Sequence, residues 1–194
     1  GALVPGAAGA EFLHATPSAQ AARLFLAWAV LPLSELGTVP TLTLDGYLAP
    51  YGDVPGPEQL AAARAVVSSA LGGMADGGWW SLASLTEAIR RREPDFLISA
   101  DPPPFGYYFG GGGMIAFPGQ SPDQYRGIRR AGVEYKDSLL KRDADWDAVE
   151  GAYIRQVLRE PLRWLGLVDV GLDAAGAPVA VRLTPLGRTV LKGT

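Results

Sequence analysis

Three arginines spaced four residues apart are the side chains of this sequence best placed to do chemistry. Arg155, Arg159 and Arg163 share one face of a predicted helix, opposite its apolar stripe. Like charges at this spacing weaken an isolated helix, whereas contact with phosphates or base edges would explain them. Arg182, in a strand predicted farther along the chain, completes a set of four candidate DNA contacts. The alternative is a solvated face that Glu160 partly neutralises.

The sequence offers few residues suited to catalysis. The chain has no Cys and a single His, His14. This composition excludes a thiol nucleophile and a zinc-ligand cluster, and it allows a Ser-His-Asp triad only if His14, in a flexible-looking N-terminus, is the base. Each Asp and Glu has an ordinary surface or capping role, so no pair of carboxylates stands out for acid/base work. We therefore predict a protein that is not an enzyme and needs no cofactor or metal.

Two segments have the composition of ligand loops but lack the matching spacing. Residues 110–119 read GGGGMIAFPG, which suggests a phosphate cradle. No Gly-Lys-Ser/Thr, preceding strand or following helix accompanies them, so a flexible loop is the better interpretation. Residues 143–147 read DADWD, like the start of a calcium loop, but Ala148 and Ile154 stand where that loop needs Gly and Glu. Helix capping explains the second segment.

An aromatic group within residues 105–117 allows a further interpretation. Its members are Phe105, Tyr107, Tyr108, Phe109 and Phe117. Aromatic side chains stack on bases in single-strand binders, but Asp101 and Asp123 offset the arginines that lie nearby. Packing of this segment onto the domain is the interpretation that we favour.

Charge and hydropathy restrict the classes of partner. The net charge of −3 gives no global footprint for nucleic acid. Residues 1–54 contain one basic and four acidic side chains, whereas residues 146–194 contain six basic and five acidic, so any polyanion contact belongs to the C-terminal part. The most apolar run, 19–33, contains Arg23 and Pro32, falls short of a bilayer span and lacks the pattern of a secretory signal. We expect a cytoplasmic protein without membrane contact, and the initial Gly suggests a piece of a longer chain.

Helical periodicity and capping signals place the first elements. Ser18 is predicted to cap a first helix. The inward face of that helix is predicted to contain Leu24, Phe25, Trp28 and Leu31. A long connection with a short strand at 41–44 leads to a second helix that begins at Pro57. Ser81 caps the next helix, which must end by Pro94.

The helix that carries the arginines follows an insertion at about residues 95–145, in which 122–140 can form a helix. Asp147 and Glu150 have the D-x-x-E spacing of a capping box. The apolar stripe after them continues in phase past Pro161, which predicts a kink or two abutting helices rather than a loop.

The end of this helix is marked by Gly166, which suits a C-terminal cap. Trp164 and Leu165, just before it, are predicted to be largely buried against the segment that follows. The arginine face has one further alternative, because the insertion can fold over it. The carboxylates that would then pair with the arginines are Asp137, Asp143 or Asp145.

A hairpin and a closing helix complete the chain. Residues 167–172 and 178–183 alternate in hydrophobicity like two strands, and residues 173–177 form a turn of suitable length. Thr184 followed by Pro185 is an N-cap with proline at the first helical position. The C-terminal part thus encodes a helix, a two-stranded wing and a short last helix.

Residues 150–191 resemble winged-helix domains, and specifically the helix–wing segment of bacterial helicase-associated proteins similar to the N-terminal domain of XPB-type helicases. The likeness rests on PLRWLGLVDVG and VRLTPLG. Residues 79–97 resemble the preceding helix of that family, and the helix beginning at Pro57 would be the first of three. The resemblance implies a nucleic-acid-associated module without catalytic activity, although winged helices also serve as protein-interaction modules.

Together these patterns predict an α+β, mainly α fold. A winged-helix core with a two-stranded wing occupies 57–194, an N-terminal helical extension and linker occupies 1–56, and a long insertion lies at about 95–145. The predicted function is a non-catalytic, DNA-associated module of a regulator or helicase-related protein, with duplex DNA bound by the four arginines. The alternative is a protein-interaction or structural winged helix without nucleic-acid binding, whose partner is another protein or a domain of a longer chain.

Overall fold

The computed structural model describes residues 6–44, 54–75, 77–98 and 123–192, together with the backbone of two short strands between the last two ranges. In chain order the helices are α1 Ala7–His14, α2 Pro17–Ala29, α3 Pro57–Gly72, α4 Leu82–Arg92, α5 Ala152–Val157 and α6 Pro185–Lys192. The strands are β1 Leu42–Leu44, β2 Trp80–Ser81, β3 Tyr108–Phe109, β4 Gly113–Met114, β5 Gln124–Arg130, β6 Leu139–Lys141, β7 Val168–Leu172 and β8 Pro178–Leu183.

The strands pair only with antiparallel neighbours, which together with the helices gives an α+β fold. One sheet has the order β1-β5-β6 and a second has the order β2-β8-β7. A two-stranded pair, β3-β4, lies within the predicted glycine and aromatic segment. The rest of that segment, and with it the predicted glycine loop and most of the aromatic group, lies outside the described residues.

The N-terminal helices differ from the prediction in two ways. The cap of α2 is Thr16, whose Oγ1 accepts from Ala19 N at 3.3 Å, and Pro17 then occupies the first helical position. The predicted cap, Ser18, is therefore wrong. The residues around His14 were expected to be flexible, but they form α1. The amide of Gln20 ties α1 to α2 by donating to Phe12 O at 2.9 Å.

A buried arginine fixes the chain that follows α2. Arg64, on α3, is 1% exposed, and its Nε donates to Glu35 Oε1 at 2.9 Å. Its guanidinium also donates to the backbone oxygens of Leu31 and Leu33. Trp28 Nε1 donates to the same Glu35 oxygen at 2.9 Å. These bonds hold the segment 30–38 against α3, although the second carboxylate oxygen, Glu35 Oε2, is buried without a hydrogen-bond partner in the described part of the chain.

The second helix begins where it was predicted to begin, and the helix after it begins and ends as predicted. α3 begins at Pro57 and ends at Gly72. Ser81 caps α4 by accepting from Ser84 N at 3.4 Å. The residue before that cap also forms a strand, because Trp80 lies opposite Val181 of β8. This pairing joins the start of α4 to the C-terminal hairpin.

The C-terminal hairpin and α6 confirm the predicted turn chemistry. Asp173 Oδ1 accepts from Ala175 N and Ala177 N at 2.9 and 2.8 Å, which closes the turn between β7 and β8. Thr184 Oγ1 accepts from Gly187 N at 2.9 Å and caps α6. A Cβ at Gly187 would lie 1.9 Å from Leu167 O, so only glycine allows α6 to approach β7 this closely.

The helix that carries the arginines is continuous from residue 147 to residue 164, and we call it the long helical segment. α5 is its centre, flanked by the wider π turns Asp147–Gly151 and Leu158–Leu162. The chain passes through Pro161 inside the second π turn and remains helical there, so that no loop interrupts the segment, as predicted; the kink at Pro161 stays a prediction. Gly166, with φ of 71°, ends it as predicted.

The predicted capping box is wrong. Neither Asp147 nor Glu150 donates or accepts a capping bond at the start of the long helical segment, where Trp146 occupies the N-cap position. Asp147 instead binds Arg155 and Glu150 is buried.

The insertion forms strands where a helix was predicted over 122–140. Gly127 and Gly132 have φ of 81° and 76°, which a right-handed helix does not accommodate. β5 pairs on one side with β6 and on the other with β1, where Leu44 lies opposite Ile128. The predicted strand at 41–44 is thus confirmed, and the N-terminal residues share a sheet with the insertion.

The long helical segment lies at the centre of the core. Tyr153, Ile154, Val157 and Leu162 are all completely buried. Such burial on several sides leaves only narrow edges of the segment open to a partner. No helix within the described ranges is long and apolar enough to cross a bilayer.

Candidate functional site

The first of the four predicted DNA contacts, Arg155, is held by a carboxylate of its own helix. Its Nη1 donates to Asp147 Oδ1 at 2.9 Å, and its Nη2 donates to Asp147 O at 2.7 Å. The arginine side chain is 32% exposed. A phosphate at this position would therefore compete with Asp147 for the guanidinium.

Arg182 is paired in a similar way across the hairpin. Its Nη2 lies 2.7 Å from Asp169 Oδ2, and Asp169 is its direct cross-strand neighbour. On its other side the guanidinium lies 4.7 Å from the centre of the Trp79 ring. The contact with Trp79 and the ion pair together fix the side chain and neutralise its charge locally.

Arg159 and Arg163 are exposed, as the helical phase predicts. Neither forms an ion pair within the described part of the chain. The alternative in which the insertion covers the arginines is wrong for the described residues: none of Asp137, Asp143 and Asp145 pairs with them, and Asp145 pairs instead with Arg130 at 3.1 Å. Glu160 lies between the two exposed arginines in sequence and is half-buried.

We call the four arginines the arginine edge. The carboxylates of Asp147, Asp169 and Glu160 accompany its four guanidinium groups, which leaves one net positive charge. The turn between β7 and β8, residues 173–177, adds one more carboxylate and no cation. A duplex-binding surface commonly neutralises several phosphates with Lys and Arg. The arginine edge is weakly charged by that standard.

A second surface, formed at the other side of the same segment, is apolar. Trp164 is 74% exposed, although the sequence predicted burial, and Leu165 is only partly buried. The physical reason is the π turn Leu158–Leu162, because a wider turn shifts the residues after it out of the phase that a regular α-helix would give them.

The end of α2 contributes the facing side chains. Leu24 and Leu31 were predicted to face the core but are 47% and 41% exposed, whereas Phe25 is buried. Val30 and Leu33 are 70% and 67% exposed. After α2, Arg64 holds the backbone oxygens of Leu31 and Leu33, and the side chains of these two leucines are left on the surface.

Leu31, Leu33, Trp164 and Leu165 line a depression of about 340 Å3, which we call the apolar groove, whereas Leu24 and Val30 lie outside its lining. Its lining consists of Trp28, Leu31, Leu33, Ser34, Glu35, Thr38, Glu160, Pro161, Trp164 and Leu165. The two charged residues among them are both carboxylates. One of them, Glu35, is already paired with the buried Arg64 at 2.9 Å.

A buried carboxyl that the sequence assigned to a cap lies elsewhere in the core. Glu150 is 2% exposed, and Tyr125 of β5 donates its hydroxyl to Glu150 Oε2 at 2.5 Å. Burial raises the pKa of Glu150 to about 7, while the Tyr125 hydrogen bond opposes that shift. The pair links the sheet β1-β5-β6 to the long helical segment. Its place on the same helical face as Ile154 and Val157 was the signal in the sequence that could have revealed its burial.

A cavity of about 370 Å3 lies beside this pair. Arg90 covers one wall, with its guanidinium 5.3 Å from the centre of the Trp146 ring. Arg142, Asp95 and Asp143 also line the cavity, so both signs of charge are present. This mixture does not select one class of ligand.

Neither a metal site within the described residues nor a match to a known protein adds to these surfaces. No group of three His, Asp or Glu side chains within the described ranges could hold a metal ion. The sequence matches no protein-family model, no curated protein and no solved structure.

Proposed function

We propose that this chain is a winged-helix module that binds another protein through the apolar groove. The order of elements supports the winged-helix assignment: α3, β2, α4, the long helical segment, β7 and β8 follow one another, with the sheet order β2-β8-β7. This is the arrangement expected of three helices and a wing whose sheet includes a strand between the first two helices. The segment from β3 to β6 then stands as an insertion.

The observation that carries the proposal is the exposure of Trp164, which lines the same depression as Leu31 and Leu33. Burying a side chain of this size contributes about 1.5 to 3 kcal/mol. Contiguous apolar surface of this kind is typical of interaction sites, and Trp is among the residues that contribute most to protein interfaces. A protein partner would bury this surface.

A second candidate function is contact with duplex DNA through the arginine edge. Arg159 and Arg163 favour it, because they are exposed and form no ion pair within the described residues. Two such contacts support only weak, salt-sensitive binding. We therefore place DNA contact second.

The test is a comparison of captured proteins. The wild-type chain and a Leu33→Asp/Trp164→Ala variant serve as baits, after nuclease treatment, and a protein retained only by the wild type is purified and tested for direct binding. An Arg159→Ala/Arg163→Ala variant is the matched control and should retain the same protein. Equal capture by the groove variant and the wild type would count against the proposal.

A further inference from the structure

We infer that a hydrogen-bonded chain from Glu150 through Tyr125 to the backbone of Arg142 holds the sheet β1-β5-β6 on the long helical segment under mildly acidic conditions and releases it near neutrality. We call this chain the pH-sensitive contact. Glu150 belongs to the long helical segment, Tyr125 belongs to β5, and Arg142 directly follows β6. None of the three lines the apolar groove, so the pH-sensitive contact is independent of the proposed function.

The hydroxyl of Tyr125 has one proton for two acceptors. Its oxygen lies 2.5 Å from Glu150 Oε2 and 3.2 Å from Arg142 O. An ionised Glu150 can only accept, so Tyr125 then serves one of the two acceptors and not the other. A protonated Glu150 donates to the tyrosine oxygen instead, and the tyrosine proton is then available to Arg142 O. Only the protonated carboxyl therefore satisfies both contacts.

The burial of the pair also favours the neutral carboxyl. Glu150 and Tyr125 are 2% and 3% exposed, and Glu150 forms no ion pair within the described residues. Burial raises the pKa of Glu150 to about 7, although the Tyr125 hydrogen bond and the charge of Arg142 lower it. The charge of Asp95 raises it further. Ionisation near neutrality therefore places a charge in the interior, which weakens the contact.

The charged groups around Glu150 offset one another. Those that line the adjoining cavity come from α4, from the residues after it and from the turn after β6, and they are Glu87, Arg90, Arg91, Asp95, Arg142 and Asp143. Three are cations and three are carboxylates, so together they offer the ionised Glu150 no net positive charge. Asp145, outside that lining, is paired with Arg130.

Cavities near both ends of β5 limit the packing between the sheet and the long helical segment. The cavity of about 370 Å3 adjoins Glu150 and Tyr125, near the start of β5. At the end of β5, a second cavity of about 490 Å3 is lined by Arg130 and by the small side chains of Ala148 and Ala152. The C-terminal hairpin belongs to the other sheet. Loss of the pH-sensitive contact can therefore release the sheet β1-β5-β6 while the hairpin stays folded.

Amide hydrogen exchange of the whole chain between pH 5 and pH 8 tests the inference. A released Glu150 ionises at its ordinary pKa of 4.5 rather than at about 7. After correction for the intrinsic pH dependence of exchange, the protection of β5 and β6 amides should therefore fall by about 70-fold over this range. At each pH these amides should be at least about tenfold less protected than the slowest amides of β7 and β8, because the sheet opens locally. Equal protection of the two sheets would mean that only global unfolding exposes β5, and it would overturn the inference.

Three variants separate the pH-sensitive contact from ordinary packing. Glu150→Gln donates to Tyr125 at any pH, so its β5 protection should change by less than about threefold between pH 5 and pH 8. Glu58→Gln, on the exposed first turn of α3, is the matched control and should keep the wild-type loss. Tyr125→Phe removes both hydrogen bonds and should lower β5 protection at pH 5 by about five- to tenfold.

Two results with these variants would contradict the pH-sensitive contact. One is a loss of protection in Glu150→Gln as large as that of the wild type, and the other is unchanged β5 protection in Tyr125→Phe at pH 5. If Glu150→Gln does not fold, the wild-type pH series and Tyr125→Phe decide the question.

Discussion

The arginine edge and the apolar groove both include residues of the long helical segment, yet the fold pairs two of the four arginines of the edge and leaves Trp164 and Leu33 of the groove exposed. On the edge, Arg155 has Asp147 and Arg182 has Asp169, each within hydrogen-bonding distance. In the groove, Trp164 and Leu33 are left more than 60% exposed. Charge alone favours the arginine edge as the binding surface. Groups that a fold leaves uncovered indicate an interaction surface better than groups that it has already paired.

Two carboxyl groups in the interior are compensated in different ways. Behind the groove, the buried carboxylate of Glu35 is paired with a cation, Arg64. Where the long helical segment meets β5, the buried carboxyl of Glu150 instead has a neutral donor, Tyr125. Removing Arg64 should therefore lower the free energy of unfolding at any pH near neutrality. The contribution of Glu150 to the free energy of unfolding should instead depend on pH.

The largest effect is expected for Arg64→Ala. Removing the cation leaves the Glu35 carboxylate buried without an ionic partner, which costs about 3 to 5 kcal/mol. Urea unfolding measures the loss, and Arg64→Met/Glu35→Gln should recover part of it because no charge then remains buried. A loss below about 1 kcal/mol for the single change would show that Arg64 does not support the groove.

Two neighbouring leucines test how tightly the end of the long helical segment is packed beside the groove. Leu162 is completely buried and Leu165 is half-buried. Leu162→Ala should cost about 2 to 5 kcal/mol, the range of an emptied core site, and Leu165→Ala clearly less. Chemical denaturation of the two variants provides the comparison. Equal losses would mean that Leu165 is packed as tightly as Leu162 and that the π turn does not displace it.

Local signals account for the parts of the fold that the sequence predicted well. The hairpin β7-β8 depends on a five-residue turn closed by Asp173, and α6 depends on the cap at Thr184. Pro57 and Ser81 likewise mark helix starts by chemistry that acts within a few residues. Such features can be predicted from the sequence because the groups that form them are close together along the chain.

The candidate surfaces were harder to predict because their partners are distant or their phase is irregular. Trp164 is exposed because a π turn precedes it, and nothing in a regular helical pattern indicates that turn. Glu150 meets Tyr125 across 25 residues, through a strand that was predicted as helix. The arginines were placed on the correct exposed face, but the pairing of Arg155 with Asp147 depends on side-chain geometry.

A smaller effect is expected from Glu150→Gln, and it depends on pH. The pKa of the Glu150 carboxyl in the folded state is about 7, above its ordinary 4.5. Stability from the protonated carboxyl is fully present below the ordinary value and is lost as pH rises through about 7. Between about pH 5 and pH 8, the wild type should lose about 2 to 3 kcal/mol relative to the Gln variant. Parallel stability curves for the two proteins would contradict a neutral buried carboxyl.

The smallest effect on stability is expected for Arg159→Ala/Arg163→Ala. Both side chains are exposed, so the free energy of unfolding should change by less than about 0.5 kcal/mol. If the second candidate function holds, the same variant should lower duplex affinity and reduce the salt slope by roughly one for each phosphate that is no longer neutralised. Anisotropy with nonspecific duplex at several salt concentrations measures both. A parent protein that binds no duplex at low salt would remove DNA from the candidate functions.

The most direct test of protein binding through the groove is the affinity of two variants for the purified captured protein. Trp164→Ala should weaken binding by about 30-fold or more, the effect of an interface hot spot of about 2 kcal/mol. Arg159→Ala/Arg163→Ala, changed on the same helical segment, should weaken it less than about threefold. The reverse order, with the arginine variant strongly impaired and the Trp164 variant unaffected, would contradict the assignment of binding to the apolar groove.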